Sequence, residues 1–471
     1  MKTLTAPGRP PLPLWFWGGL LCTWLFALAL RFWGLARFNT LVFDEVYFAK
    51  FGHHYLTHTE FFDAHPPLGK YLIALGITLK GFNPWGYRWM NALVGSCLPL
   101  LLAGIAYQLS RRLTFALIAA GLASLDGLLL VESRYALLNV HILFFGLLAH
   151  WLVLIALDRK GSPRLLWLTA AGASFGATIA VKWNGLGFLL GLYLAWLVAK
   201  VVQGFCADQS HPQMRVPVQR LSEISSWQLF VYVPAIALVV YSLLWLPHLA
   251  QNPDYNFWQV HEQMFGYHHQ RVGGSEVHPY CSRWYTWPLL LKPISYFYQT
   301  VQSTSEPVPV VGPPLPPDAV KWIYSVYATG NPLLWWSTTL AIFAVLARWL
   351  RQSWQGITHR LRITHFSRIP APEQVWIPLY LSMNYLANFL PWVGVSRCTF
   401  LYHYMPASMF STLAMAWLIH GWLQGSDQRW RTAAVTFLFA SLISFMIWLP
   451  LFLGLPLTPG SWQLLRGQFF G

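Results

Sequence analysis

Long apolar runs dominate this chain. They fall near residues 15–37, 88–109, 113–131, 137–157, 165–181, 184–203, 229–247, 332–351, 373–392, 400–420 and 432–453. About 20 apolar residues are what a helix needs to cross a bilayer. In lipid the backbone has no water to bond with, so a helix that satisfies its own amides is the natural spanning form. Eleven such runs predict an all-α polytopic membrane protein, a bundle of about 11 transmembrane helices. Composition agrees. Of 471 residues, 56% are hydrophobic and only 10% charged, against about 25% charged in a soluble domain. Ordinary soluble domains, which length alone would permit, are excluded.

The net charge of +15 would suggest nucleic acid in a soluble protein. Here membrane topology accounts for it, and no nucleic-acid partner is expected. With the N-terminus inside, the short inside segments hold Lys2, Arg9, Arg111, Arg112, Arg159, Lys160, Arg164, Lys200, Arg215, Arg220, Arg348, Arg351, Arg360, Arg362, Arg368, Arg429 and Arg431. These are 17 of the 31 basic residues. Most acids fall on the other side. Basic residues prefer cytoplasmic loops, so the chain is predicted N-in, C-out. The first run continues through "LRFWGL" past the "ALA" at 27–29, which reads as a retained anchor rather than a cleaved signal. No internal repeat and no large soluble domain is evident, so residues 1–471 read as one transmembrane unit. Two outside loops are long, 38–87 and 248–331. The second carries "EPVPVVGPPLPPDA" at 306–319, predicted as an extended, semi-rigid connector.

The first loop breaks the apolar pattern. Residues 43–70, "FDEVYFAKFGHHYLTHTEFFDAHPPLGK", hold four acids, four histidines and two lysines. Asp44 and Glu45 sit inside the apolar "TLVFDEVYF". A solvated acidic loop is the ordinary explanation for such a pair. However, carboxylates held against apolar surface have raised pKa values and can serve as bases. Adjacent residues cannot both point one way, which suggests one base and one orienting or acceptor-binding group. After "HPP", the segment "LGKYLIALGITLKG" reads as an amphipathic helix lying in the interface plane. Lys70 either snorkels to headgroups or, with His65, meets a lipid phosphate.

Further charges recur at the same membrane edge. "LDGLLLVESRYALLN" at 125–139 carries Asp126, Glu132 and Arg134. Charges at such depth are usually functional. The Arg134 fork suits phosphate oxygens, while a buried acid–arginine pair is the structural alternative. Lys182 lies in "VKWNG" at 181–185. Arg397, Tyr402, His403 and Tyr404 lie in "VSRCTFLYHYMP" at 395–406. The predicted topology brings all these segments to one face. Cations for a phosphate, a carboxylate base and aromatics for sugar or peptide are what an enzyme using a lipid-phosphate substrate requires. The histidines lack HExxH or similar spacing, and no P-loop or GxGxxG is present, so no metal and no cofactor is predicted. The five cysteines show no CxxC. Cys281 and Cys398 both fall outside, where a disulfide is permitted, but the sequence leaves their pairing open.

Taken together, "FDEVYFAKFG", "FFDAHPPLGK", "VESRYALLN", "GATIAVKWNGLG", "HPYCSRWYTWPL" and "RCTFLYHYMP" resemble the protein O-mannosyltransferases, dolichyl-phosphate-mannose-type enzymes of the GT-C superfamily. The resemblance covers nearly the whole chain in order. It implies a GT-C-type bundle and an inverting transfer of mannose from a polyprenyl-phosphate-mannose donor to Ser or Thr hydroxyls of secreted or membrane proteins. It assigns Asp44 as the base and Glu45 as the residue positioning the acceptor. His65, Lys70, Arg134, Lys182 and Arg397 are its candidates for the phosphate shell, Arg134 foremost, with Arg88 in "GYRWMN" a further one. Tyr402 and His403 are expected to contact substrate. Fungal and animal members carry a MIR domain in the large outside loop. The 248–331 loop is too short for one, which points to a bacterial form in the plasma membrane, with the site on the periplasmic or extracellular side and a donor lipid other than dolichol. The family often has an acid where this chain has Asn139. The rival readings are a GT-C enzyme moving another sugar, such as aminoarabinose, to a lipid, and a transporter. A transporter predicts broken helices and mid-membrane polar residues, whereas the charges here lie at the rim.

Overall fold

The computed structural model describes residues 11–206, 216–271, 273, 277–360 and 372–467. Lys2, Arg9, Arg215, Arg362 and Arg368, counted above among the inside basic residues, lie outside the described residues. The first helices are α1 (Leu14–Phe32), α2 (Glu45–Thr57), α3 (Leu68–Lys80), α4 (Pro84–Ser110), α5 (Leu113–Ser124), α6 (Gly127–Glu132), α7 (Asn139–Ala156) and α8 (Ser162–Val181). Then come α9 (Leu186–Cys206), α10 (Val233–Gln251), α11 (Phe257–Gly266), α12 (Pro332–Arg360), α13 (Pro372–Phe389), α14 (Met405–Gln424), α15 (Gln428–Leu453) and α16 (Pro459–Gly467).

Among the described residues, eight helices are long and apolar enough to cross a membrane. They correspond to α1, α4, α7, α8, α9, α10, α12 and α15. The other three predicted spans, 113–131, 373–392 and 400–420, also form helices but do not reach that measure. The first is cut short, because α5 ends at Ser124 and the chain restarts as α6 under the Asp126 cap, whose Oδ1 accepts from Leu129 N–H at 2.9 Å. The third, α14, is buried without a break from Met405 to Ala416. A helix enclosed by other helices meets no lipid, so its serines and threonines are tolerated.

The bundle has two distinct ends. At one, Arg111 and Arg220 both pair with Asp158, and Arg112 pairs with Glu373 at 3.3 Å. At the other, the 33–45 segment, α2, α3 and the 133–138 turn pack together. The turn into α4 is tight. Gly81 has φ +82°, Asn83 caps α4 through Gly86 N–H, and a Cβ on Gly86 would meet the Gly81 carbonyl at 1.8 Å. Only glycine allows that approach, and it sets Arg88 at the start of α4, facing Glu45.

Arg88 and Glu45 are both fully buried. Glu45 Oε1 accepts from Arg88 Nε and from Ala136 N–H, each at 2.8 Å. Oε2 accepts from Arg88 Nη2 at 2.7 Å and from Val42 N–H at 2.8 Å. Arg88 also donates to the carbonyls of Leu35, Phe38 and Thr40 at 2.8–3.0 Å. All five guanidinium donors are therefore used. This corrects two expectations. Glu45 has no face left with which to position an acceptor, and Arg88 has no donor left for a phosphate. Arg134 is corrected too. It donates to the carbonyls of Leu30, Arg31, Trp33 and Gly34 at 2.7–3.3 Å. Leu30 and Arg31 supply orphan carbonyls of the last turn of α1, and a cation there is also favoured by the helix dipole.

One small sheet departs from the all-α expectation. Strand β1 (Ile294–Val301) pairs antiparallel with β2 (Trp322–Ala328), and β2 pairs with β3 (Pro456–Leu457). The proline-rich 306–319 piece is the link between β1 and β2. A bulge between Ser295 and Phe297 lets Tyr296 and Phe297 both turn inward. Phe297 packs on Phe38 with ring centroids 4.2 Å apart. Cys281 and Cys398 form a disulfide, Cα–Cα 5.2 Å. Ser282 and Thr399 reinforce it, with Ser282 N–H donating to the Thr399 carbonyl at 2.7 Å.

Breaking one partner of a buried ion pair costs about 3–5 kcal/mol. Glu45→Gln and Arg88→Met should therefore each lower the unfolding temperature in detergent markedly. The double variant should lose less than the sum of the two. Additive losses would show that the pair does not act as a unit.

Candidate active site

Asp44 is the N-cap residue of α2, yet its side chain caps nothing. The residue before it, Phe43, has φ +52°. A bulky residue in the left-handed region is strained and persists only where its surroundings over-determine it. Here the Phe43 ring stacks on Tyr296 at 4.3 Å and meets Phe400 and Tyr402 edge-on. The buried Glu45 pins the following residue. Between these two anchors the Asp44 carboxylate is left partly exposed, and no described residue donates a hydrogen bond to it. Burial pushes its pKa up to about 6, against the downward pull of Lys182, while Asp63 adds to the rise. An unbonded carboxylate with that pKa is ionised at neutral pH and basic enough to take a proton.

Lys182 is buried where α8 stops. Its backbone is extended, and a single turn at Trp183–Gly185 leads into α9. Its ammonium lies 5.3 Å from the Tyr402 ring centroid and 5.9 Å from that of Phe48. Phe48 is one helical turn beyond Asp44 on the same face of α2. Lys182 donates one hydrogen bond, to Asn139 Oδ1 at 3.1 Å. Asn139 Nδ2 in turn donates to Glu132 Oε2 at 3.1 Å, and Tyr296 donates its hydroxyl proton to Glu132 Oε1. The alternative pairing of Arg134 with Glu132 or Asp126 does not form either. Asp126 accepts instead from Trp335 Nε1 at 2.7 Å.

The remaining cations divide into bound and free. Lys70 is buried against Asp63 and the His65 carbonyl, so it anchors the 63–65 segment. Arg397 is partly exposed and among the described residues makes one hydrogen bond, to the Cys398 carbonyl at 3.1 Å. The disulfide at the next residue fixes its base. His65 and His268 face each other with ring centroids 5.5 Å apart, and His268 Nε2 meets the Ala64 carbonyl at 3.0 Å. Burial, helped by Lys182, pushes the His65 imidazole well below its usual range, so both ring partners are available as neutral hydrogen-bonding groups. Tyr402 lies under Lys182. His403 is held by its own turn, its Nδ1 accepting from Phe400 N–H at 3.0 Å, and stacks on Trp287. Among the described residues, no group of three His, Cys, Asp or Glu could hold a metal ion.

The structure thus brings Asp44, His65, Lys182, Arg397 and Tyr402 together and leaves Glu45, Lys70, Arg88 and Arg134 in structural bonds. Sequence reasoning gave no site role to Asp63, His268 or Tyr296, and marked Glu132 only as a charge at functional depth. The alternating "ISYFYQTV" at 294–301 was a strand signal that could have placed Tyr296. Nothing local marked Asp63.

Known proteins match this chain along its length. A model of the family dolichyl-phosphate-mannose-protein mannosyltransferase matches residues 21–86 and 81–250. A model of the C-terminal four TMM region of protein-O-mannosyltransferase matches residues 254–467. A polyprenol-phosphate-mannose–protein mannosyltransferase of Mycobacterium tuberculosis is 24% identical over 507 residues, covering 96% of this chain and 90% of that protein. Its counterpart in Mycolicibacterium smegmatis is 25% identical, covering 85% and 80%. Protein O-mannosyl-transferase 2 of Drosophila melanogaster is 34% identical over a shorter stretch, covering 41% and 29%. The fold is shared with the Saccharomyces cerevisiae protein O-mannosyltransferase Pmt1-Pmt2 complex bound to the sugar donor, at TM-score 0.78 and 15% identity, covering 97% of this chain and 93% of that one. With two adjoining family models spanning nearly all of it, the chain belongs to the protein O-mannosyltransferases, membrane enzymes of the GT-C fold.

Proposed function

We propose that this protein transfers mannose from a polyprenyl-phosphate-mannose donor to Ser or Thr hydroxyls of secreted or membrane proteins, with inversion at the anomeric carbon. The observation that carries this reading is the free Asp44 carboxylate, raised to about 6 and within electrostatic reach of the Lys182 ammonium. The names of the relatives supply the donor class.

The chemistry is a single displacement. The acceptor oxygen forms a bond to the anomeric carbon as the bond from that carbon to the phosphate oxygen breaks. The phosphate leaves with the electron pair, and Asp44 takes the hydroxyl proton. A phosphate leaves readily and needs no acid. It does need positive charge where its own charge develops. Lys182 and Arg397 supply that charge, with His65 and His268 as neutral partners. Phe43, Tyr296, Phe400 and Tyr402 form an aromatic wall beside the base. No cofactor takes part. We place the site at the non-cytoplasmic face of a bacterial plasma membrane, with the N-terminus inside and the C-terminus outside. This follows from the basic loops 111–112, 159–164 and 429–431 lying at the other end of the bundle.

The direct test uses purified protein in lipid, labelled polyprenyl-phosphate-mannose and a Thr-rich peptide. Label should move to the peptide. Label found in lipid alone would redirect the assignment to a lipid-modifying transferase, and flux without transfer to a transporter.

Asp44→Asn should abolish transfer while leaving the protein folded, because the amide cannot accept the proton. In the unsubstituted enzyme kcat/KM should fall roughly tenfold per pH unit below about 6, as protonated Asp44 loses its function. An acid limb unchanged in shape, or turnover by the Asn variant, would remove the base assignment.

Arg397→Ala and Arg134→Ala separate free from structural cations. The first should raise the donor KM by roughly tenfold or more, the usual worth of one charge-assisted hydrogen bond, with little change in unfolding temperature. The second should lower the unfolding temperature and depress donor and acceptor use alike. A donor-selective loss in Arg134→Ala would return it to the phosphate shell.

A further inference from the structure

Glu132, like Glu45, is a fully buried acid near the site that the displacement itself does not use, but unlike Glu45 it has no arginine against it. Its exposure is 0%, at the last residue of α6. A buried carboxylate is costly unless something compensates its charge. No cation touches it directly: its oxygens accept from the Tyr296 hydroxyl and from Asn139 Nδ2. The compensating charge is Lys182, one side chain further on, reached through Asn139 Oδ1.

The amide between them has one workable orientation. Its nitrogen donates to the carboxylate and its oxygen accepts from the ammonium. Reversed, it would set oxygen against oxygen and donor against donor. Asn139 therefore transmits the carboxylate's pull as a directed dipole, and hydrogen bonds in series polarise one another. The ammonium lies within reach of a second carboxylate, Asp44, yet makes no hydrogen bond to it. A lysine drawn onto Asp44 would tie up the base and turn its own charge away from the leaving phosphate.

We infer that Glu132 is a positioning residue: acting through Asn139, it holds the Lys182 ammonium toward the leaving phosphate and off the Asp44 carboxylate. The inference deepens the proposed function and rests on its phosphate-binding part. A neutral residue at 139 and an acid at 132 thus share a task that one carboxylate at 139 could perform alone. The negative charge matters to Lys182, and its place in the chain is secondary.

The test uses a polyprenyl monophosphate as probe. This is the product that the displacement releases, so the outcome depends on neither the sugar nor the acceptor. Binding to the purified full-length protein is measured alongside its unfolding temperature. Glu132→Gln keeps the shape and both hydrogen-bonding partners but removes the charge. It should weaken binding roughly tenfold, the order expected for one charge-assisted contact. Adding Asn139→Asp to it returns a carboxylate, now directly against Lys182, and should recover most of the lost affinity. A merely space-filling Glu132 would show no such recovery. Unchanged affinity in Glu132→Gln, or a loss that Asn139→Asp fails to restore, overturns the inference. Failure of mannose transfer with this binding pattern intact would count against the proposed function alone.

Discussion

The bidentate pair between Glu45 and Arg88 is the constraint on which the outer end of the bundle depends. It ties together three pieces of chain that would otherwise be independent. The carbonyls of Leu35, Phe38 and Thr40 accept from Arg88, α4 supplies Arg88 itself, and in the 133–138 turn Ala136 N–H donates to Glu45. The charges are buried together with every hydrogen-bonding position filled. That is the condition under which a buried pair is tolerated, and it makes loss of either partner costly. Because Glu45 is anchored so completely, its neighbour Asp44 is placed without bonds of its own. The strained Phe43 on the other side, held by Tyr296, completes the grip. A rigid support beneath an unbonded reactive group is the arrangement that preorganised chemistry requires.

Positive charge is distributed by the same logic. Arg88 and Arg134 have fork-shaped donors, and both forks are turned onto backbone carbonyls where segments must be joined. Lys70 is consumed by Asp63. Of the site cations, Lys182 and Arg397 keep the most capacity: among the described residues each makes one hydrogen bond, to Asn139 Oδ1 and to the Cys398 carbonyl. The disulfide at Cys398 and the α8–α9 turn fix where these two begin. Their positions are thus inherited from covalent and helical geometry rather than from ion pairs, and their charge stays available.

Much of this was legible in the chain. Apolar runs placed every major helix, and the acid-rich "FDEVYF" placed the proposed base next to a membrane edge. The convergence of segments near 44, 65, 134, 182 and 397 at one end was also readable, because antiparallel helices bring alternate connections to the same side. What misled was assigning roles by residue type. Arg134 looks like a phosphate ligand in "VESRYALLN", but the α1 carbonyls that claim it lie about 100 residues earlier. Glu132 sits two residues from Arg134 and suggests an ion pair, yet the ends of α6 and the following turn point them to different partners. Tyr296 came from strand β1, in the outside loop just ahead of the proline-rich connector.

Hydropathy by itself determined that this chain lies in a membrane as a helical bundle with its polar chemistry gathered at one rim. The reason is local: each helix must satisfy its own backbone in lipid, and that requirement is written residue by residue. Which carboxylate is free and which is buried, and which cations hold the protein together rather than wait for a phosphate, was decided only by tertiary structure. A side chain's capacity to bind depends on the donors and acceptors around it, and here those partners come from segments tens to hundreds of residues away.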